Sequence, residues 1–516
     1  MLTTVRSFVS ALSVPLCLLA LAAPPAQAQV PRSLGDLVLG ARHRPQLEVE
    51  VFGASFTGMP VFSDRPYILW PHADAERLPR MDRNVVQAWL DTAAGALGFE
   101  GFRTQYVESW AWRDATVWKY ALQHDGLELW LASVQVHFAG GRLAGLVVEV
   151  PQPLLGLGEI GSDVPRDGSA VLLAERGPDG YRAVPTPATV TQTATHTITS
   201  VGSQRLVAVN TLPAAQHVPQ QQFTEWNVPL GTFPDQIELD SKGKIWFSQP
   251  LQNWLTRFDP LTGTFTQFST PGGSLPDGMC VDVQDRVWTG FNGGGGLGRL
   301  QNGVHTAFAA PYGGAAMAIP KPTKSGTLWV TDHQANRISE FDPSTTSWLQ
   351  SLLLPTSGAW VVEGDEDPVS LTWYFTCYSV NRLAIKPVGQ PIGETSTLGF
   401  GPAFPVVSNG FAYYSLWSSP ALGCYDIAND QHTLFTHPLS SEVGGPIGAL
   451  PDGRIALGTR GAGYIMVFDP SSSTFTPYKI PTTVTSNLKD GLTIAPDGTI
   501  WFTETSANKI ARLKLF

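Results

Sequence analysis

The chain of 516 residues carries 33 Lys and Arg against 43 Asp and Glu, for a formal net charge of −10, and 43% of it is hydrophobic. No dense Lys/Arg stripe interrupts this acidic balance, so a polyanion is repelled and nucleic acid is excluded as a partner. Past the first 28 residues, no run reaches the roughly 18 apolar residues that a membrane span needs.

Residues 1–28 hold one charge, Arg6, then the apolar run Val14 to Leu21, then Ala26-Gln27-Ala28. That is the order of a secretory signal, and it predicts cleavage near Ala28 and a secreted or periplasmic protein. Three cysteines remain beyond it, Cys280, Cys377 and Cys424, with no CxxC or Cys/His spacing, so neither a disulfide framework nor a zinc site is indicated.

Residues 29–210 read as an α+β domain. Val85, Val86, Trp89, Leu90, Ala93, Ala94 and Leu97 follow helical spacing up to Gly98. The segments 117–122, 127–138 and 143–150, separated by Asp125-Gly126 and Gly140-Gly141, then read as a three-stranded meander. The stretch Ser133 to Phe138 with Gly141 to Gly145 resembles PepSY and thermolysin-propeptide domains, which implies an inhibitory or chaperoning module. Polar, proline-containing residues 211–222 read as a linker.

Residues 223–516 are built from a repeat. Leu328-Trp329-Val330-Thr331-Asp332 with Asn336-Arg337-Ile338 matches Ile500-Trp501-Phe502-Thr503-Glu504 with Asn508-Lys509-Ile510, and Ile245 to Gln249 with Asn253 repeats it again. In that register the aromatic position falls at Trp246, Trp288, Trp329, Tyr374, Tyr413, Ala456 and Trp501, at intervals of 39 to 45 residues. A period near 42 with β-branched and aromatic strands and no helical pattern predicts a β-propeller of seven four-stranded blades. The last period stops after a third strand, and Phe223 to Val228 reads as the missing fourth. That segment is expected to close the ring and to remove its open edges.

Adjacent antiparallel strands bring the end of the second strand beside the start of the first. Asp235, Asp277, Asp332, Asp490 and Glu504 are therefore expected on one rim, as an acidic mouth able to take a hard cation such as Mg²⁺ or Ca²⁺. His333 follows Asp332 and is the candidate base, while Arg460 takes the His333 position in the sixth period and could meet an anionic ligand. There is no GxSxG elbow, P-loop or HExxH motif, and the Gly293 to Gly296 run lies between strands.

The phrase Ala495-Pro496-Asp497-Gly498-Thr499-Ile500-Trp501-Phe502-Thr503-Glu504 with Asn508-Lys509-Ile510 resembles the blade signature of the virginiamycin B (streptogramin) lyase family over 223–516. The resemblance implies Mg²⁺-assisted elimination at an ester linkage, using a Glu-Pro-His-Gly segment and a later Glu. Gly491 and Glu504 fall on the last position of that segment and on the later Glu, but Asp490 stands where the family has histidine and Leu488 where it has the earlier Glu. An aspartate near its ordinary pKa is already ionised at neutral pH and is a weak base. The leading expectation is therefore a secreted protein that binds a small molecule or peptide at the mouth without the lyase dyad. A metal-assisted lyase or lactone-opening enzyme using Asp490, Glu504 and His333, and a protein-interaction scaffold, are the alternatives, because propellers host all three.

Overall fold

The computed structural model describes residues 82–209, 223–482 and 491–515, apart from breaks of at most six residues, together with the backbone of 47–51, 54–60 and 67–71. The predicted signal (1–28) and linker (211–222) lie outside the described residues, as do Gly98, Leu488 and Asp490.

The first half is a helix on an antiparallel sheet. Helix α1 (Arg83–Ala93) starts at Asp82, whose carboxylate accepts from the Asn84 and Val85 amides at 3.0 Å. The helical spacing then puts Val86, Leu90 and Ala93 on one buried face. That face packs into a core with Tyr120, Leu122, Val134 and Val136. The sheet comprises β1 (Leu47–Val51), β2 (Ala54–Pro60), β3 (Tyr67–Pro71), β4 (Arg103–Trp112), β5 (Ala115–His124), β6 (Leu127–Ala139) and β7 (Arg142–Glu149). Its antiparallel order is β4-β5-β6-β7-β3-β2-β1, which contains the expected meander. Asp125 and Gly126 turn with φ of 48° and 78°, the left-handed pair that a two-residue hairpin needs.

Five more strands follow: β8 (Leu154–Leu157), β9 (Ala170–Gly177), β10 (Gly180–Gln192), β11 (His196–Val201) and β12 (Gln204–Val209). The antiparallel ladder β9 to β12 leads away from the first core. Strand β12 then pairs in parallel with the outer strand Gln431–Thr436 of the second half, from Gln204↔His432 to Ala208↔Thr436.

The second half is a β-propeller. Five four-stranded antiparallel sheets occupy residues 237–269, 276–309, 317–353, 361–396 and 444–479. A sixth combines Leu492–Ile494, Ile500–Glu504 and Lys509–Leu513 with β13 (Phe223–Asn227). The ring thus closes as the sequence suggests, β13 running antiparallel to the last strand from Phe223↔Leu513 to Asn227↔Lys509. Trp226 stacks on Trp501 at 5.4 Å across this seam.

The expectation of seven four-stranded blades needs correction, because six four-stranded sheets stand as blades of their own. The 402–436 meander is the end of a sixteen-stranded sheet, since β12 has taken the hydrogen-bonding edge of its outer strand. An unpaired strand edge accepts a further strand readily.

The repeat has a physical reason at three positions. Every aromatic-register residue is buried between sheets, including Trp246, Trp288, Trp329 and Trp501. The indoles of Trp246 and Trp288 donate to Asp240 and Asp282, at 3.0 and 2.7 Å, and each of these aspartates also holds its own turn through two backbone amides. The repeated asparagine is the third position. Asn253, Asn336, Asn381 and Asn508 all have φ between 50° and 56°, a region that asparagine tolerates better than most residues. From there the side chains of Asn253, Asn336 and Asn381 accept the amides of Leu275, Ala359 and Gly401, pinning the chain as it enters the next meander.

Deleting residues 223–228 from the full chain should replace the propeller's single thermal transition by a broad one at lower temperature. Calorimetric melting checks this, and an unchanged curve would show that the seam is dispensable.

Candidate functional site

The second-strand ends expected at the mouth are Gln249, Phe291, Asp332, Cys377, Leu416, Thr459 and Glu504, and all of them are buried. These strands are covered on both faces by neighbouring sheets, so their last side chains lie within the walls. Asp235 is buried too, and its carbonyl accepts the Thr503 hydroxyl at 2.7 Å. Gly491 lies against that pair, so that a Cβ there would come within 2.1 Å of the Asp235 carbonyl oxygen. Asp277 is partly exposed and accepts the Asn292 amide at 3.1 Å. Asp332 caps the turn after it, accepting the Gln334 and Ala335 amides at 2.8 Å, and also takes the Tyr312 hydroxyl at 2.9 Å.

The next register position is mixed, with His333 and Trp417 part-exposed and Tyr378, Arg460 and Thr505 buried. One residue past each strand end stand Pro250, Asn292, His333, Tyr378, Trp417, Arg460 and Thr505. His333, Tyr378, Trp417 and Arg460 come from four successive meanders, and Trp360 links them. The ring of His333 lies 5.2 Å from Trp360, Trp360 lies 5.6 Å from Tyr378 and 6.5 Å from Trp417, and Tyr378 lies 5.0 Å from Trp417. Phe404 packs edge-on to Trp417 at 5.7 Å, and the Arg460 guanidinium sits 4.5 Å over the Trp417 ring. Trp360 holds φ at 35°, a strained value for a bulky residue, of the kind that clusters at functional sites.

Two of the predicted residues, His333 and Arg460, are thus joined through one aromatic cluster. Sequence reasoning missed Trp360, Tyr378 and Trp417. For Tyr378 and Trp417 the signal lay one residue further along the same register, whereas Trp360 immediately precedes the first strand of its meander. Arg460 is 6% exposed, and among the described residues no carboxylate lies within ion-pair distance of it. The Trp417 indole nitrogen is buried without a hydrogen-bond partner.

Glu504 belongs to another group of residues. It is fully buried on the closing sheet, beside Glu225 of β13, and neither of its oxygens has a hydrogen-bond partner. Lys509 donates to Glu225 at 2.7 Å and to the Thr482 hydroxyl at 2.9 Å, and Thr482 donates to Glu225 at 2.8 Å. Burial, assisted by the nearby Glu225 charge, pushes the Glu504 carboxyl up to about 7, with Thr482 and Lys509 opposing. For Glu225 burial also acts upward, but the Lys509 and Thr482 hydrogen bonds outweigh it and hold the carboxyl below the usual range.

This arrangement does not fit a divalent cation by itself. Lys509 already neutralises Glu225, and among the described residues no three His, Cys, Asp or Glu side chains gather to hold a metal. Near the ring axis a further charged group joins three innermost strands, with Lys321 at 2.6 Å from Glu363 and 3.5 Å from Glu238. His432 and His437 are buried, and burial pushes both down to about 4.

The fold defines the second half as a β-propeller, and comparison with solved structures agrees. A streptogramin B lyase structure aligns with a TM-score of 0.53 and 20% identity, covering 57% of this chain and 97% of that one. Virginiamycin B lyase from Staphylococcus aureus aligns with a TM-score of 0.53 and 21% identity, over 57% of this chain and 99% of that one. A chain of the mitotic checkpoint complex, at 9% identity, aligns over 59% of this chain and 95% of that one with a TM-score of 0.51. At such identities the likeness establishes the fold alone. No family profile and no curated protein matches the chain.

The raised Glu504 sets a pH dependence. Its folded pKa exceeds the unfolded value of 4.5, so the stabilisation is complete below 4.5 and is lost as pH rises through about 7. Glu504→Gln should therefore shrink the stability difference between pH 5 and pH 8 by about 2 kcal/mol. Urea unfolding at the two pH values checks this, and an equal difference in both proteins would refute it.

Proposed function

We propose that the chain is an exported binding protein: a seven-bladed propeller, counting the 402–436 meander as a blade, that takes a small molecule or peptide at the His333–Trp360–Tyr378–Trp417 cluster and performs no elimination. The observation that carries this reading is the division of labour between two register positions. The strand-end acids are committed to structure, Asp332 to its turn and to Tyr312, Glu504 to the ring-closing seam. Beside them, His333 and Trp417 at the following position are part-exposed together with Trp360, and the Arg460 cation lies over the Trp417 ring. Flat aromatic side chains lose little rotamer freedom on binding and supply large contact area, which suits them to recognition.

The substitution of Leu488 and Asp490 in the lyase-like phrase supports the absence of elimination. The enzyme reading keeps one favourable observation, a Glu504 carboxyl close to neutrality, as a proton-exchanging group requires. One of the solved neighbours is a catalytically inactive virginiamycin B lyase with quinupristin, and that compound supplies the test. Incubated with the purified chain and Mg²⁺, quinupristin should stay cyclic by chromatography. Mg²⁺-dependent ring opening, lost in Glu504→Gln, would put the metal-assisted lyase first.

A further inference from the structure

Resting on the binding reading above, we infer that Arg460 and the Trp417 indole N–H anchor the carboxylate of an aromatic monoacid, whose ring packs on the part-exposed Trp360. Arg460 is 6% exposed and carries a full charge, yet its contact is an aromatic face 4.5 Å away and it has no acid partner among the described residues. A buried charge without a counter-ion is costly, and proteins rarely keep one unless it meets a ligand. A guanidinium's planar N–H fork matches the geometry of a carboxylate.

A second observation points the same way. The Trp417 indole nitrogen belongs to the ring under Arg460, and it is buried with no acceptor. Trp246, Trp288 and Trp373, buried on second strands, each donate instead to a carboxylate at 2.7 to 3.1 Å. Leaving a buried N–H unsatisfied is costly, so an acceptor arriving with a ligand removes that penalty. Among the described residues expected on this rim, Asp332 is engaged with Tyr312 and two amides, and Glu504 is buried in the closing sheet beside Glu225.

The cluster also selects the class of anion. One guanidinium and one indole N–H match the single charge of a carboxylate, whereas a phosphate dianion calls for further cations in a chain of net charge −10. The part-exposed faces of Trp360 and Trp417, in ring contact with each other and backed by the buried Tyr378, call for a flat apolar body. A small aromatic acid and the free C-terminus of a peptide ending in an aromatic residue share this chemistry.

Calorimetry of the full chain with naphthalene-2-carboxylate and with naphthalene-2-carboxamide separates the charge from the ring. The same comparison between N-acetyl-glycyl-phenylalanine and its amide separates the two sources of the acid. Each acid that binds should do so about tenfold more tightly than its amide. Arg460→Met, which keeps a long apolar chain over Trp417, should abolish that difference, and Arg460→Lys should restore part of it. Acid and amide binding equally well to the unaltered protein would overturn the anion anchor while leaving the aromatic binding reading in place. Absence of binding by both acids and both amides would overturn the two together.

Discussion

Everything in the second half depends on one strand pairing. β13 precedes the propeller in sequence, yet it forms the outer strand of the last sheet, so the two ends of a 294-residue segment are held together by five residue pairs. The cost of closing so long a loop grows only slowly with its length, whereas an open stack of sheets would leave two apolar faces in water. The same seam fixes the fate of Glu504. With Glu225 of β13 held beside it by Lys509 of the last strand and by Thr482, the carboxylate in the lyase-like phrase sits inside a wall.

The sequence made the propeller readable because its repeat is a consequence of packing. A residue at Trp246, Trp288 or Trp329 must fill the gap between two sheets, and the asparagine at 253, 336 and 508 must adopt a left-handed turn, so both are specified by local geometry. The closing strand was readable because the final period lacks a fourth strand. The merging of the 402–436 meander with the first domain was not. Parallel pairing between β12 and residues 431–436 is a contact across more than two hundred residues, and no period or turn signal announces it.

The site was legible only in part, for a reason of register. Side chains on a second strand are buried on both faces, so Asp332 and Glu504 lie within the walls, and at the position after the strand His333 and Trp417 are part-exposed whereas Tyr378, Arg460 and Thr505 are buried as well. His333 and Arg460 were visible from the repeat, but their association through Trp360 and Trp417 required the sheets to be placed side by side. Asp490 and Leu488 lie outside the described residues, so their bearing on chemistry rests on the sequence.

The first domain also acts as a guard. By laying β12 along residues 431–436, with Leu206 packed toward Leu416 and Leu434, it occupies a β-edge that would otherwise face solvent with its backbone donors and acceptors exposed. A propeller stripped of residues before 223 would still have a closed ring, but it would present this edge and its apolar neighbours to other copies of itself. Such an edge is a template for chain-to-chain strand addition. The pairing of β12 therefore keeps this strand edge engaged within one molecule.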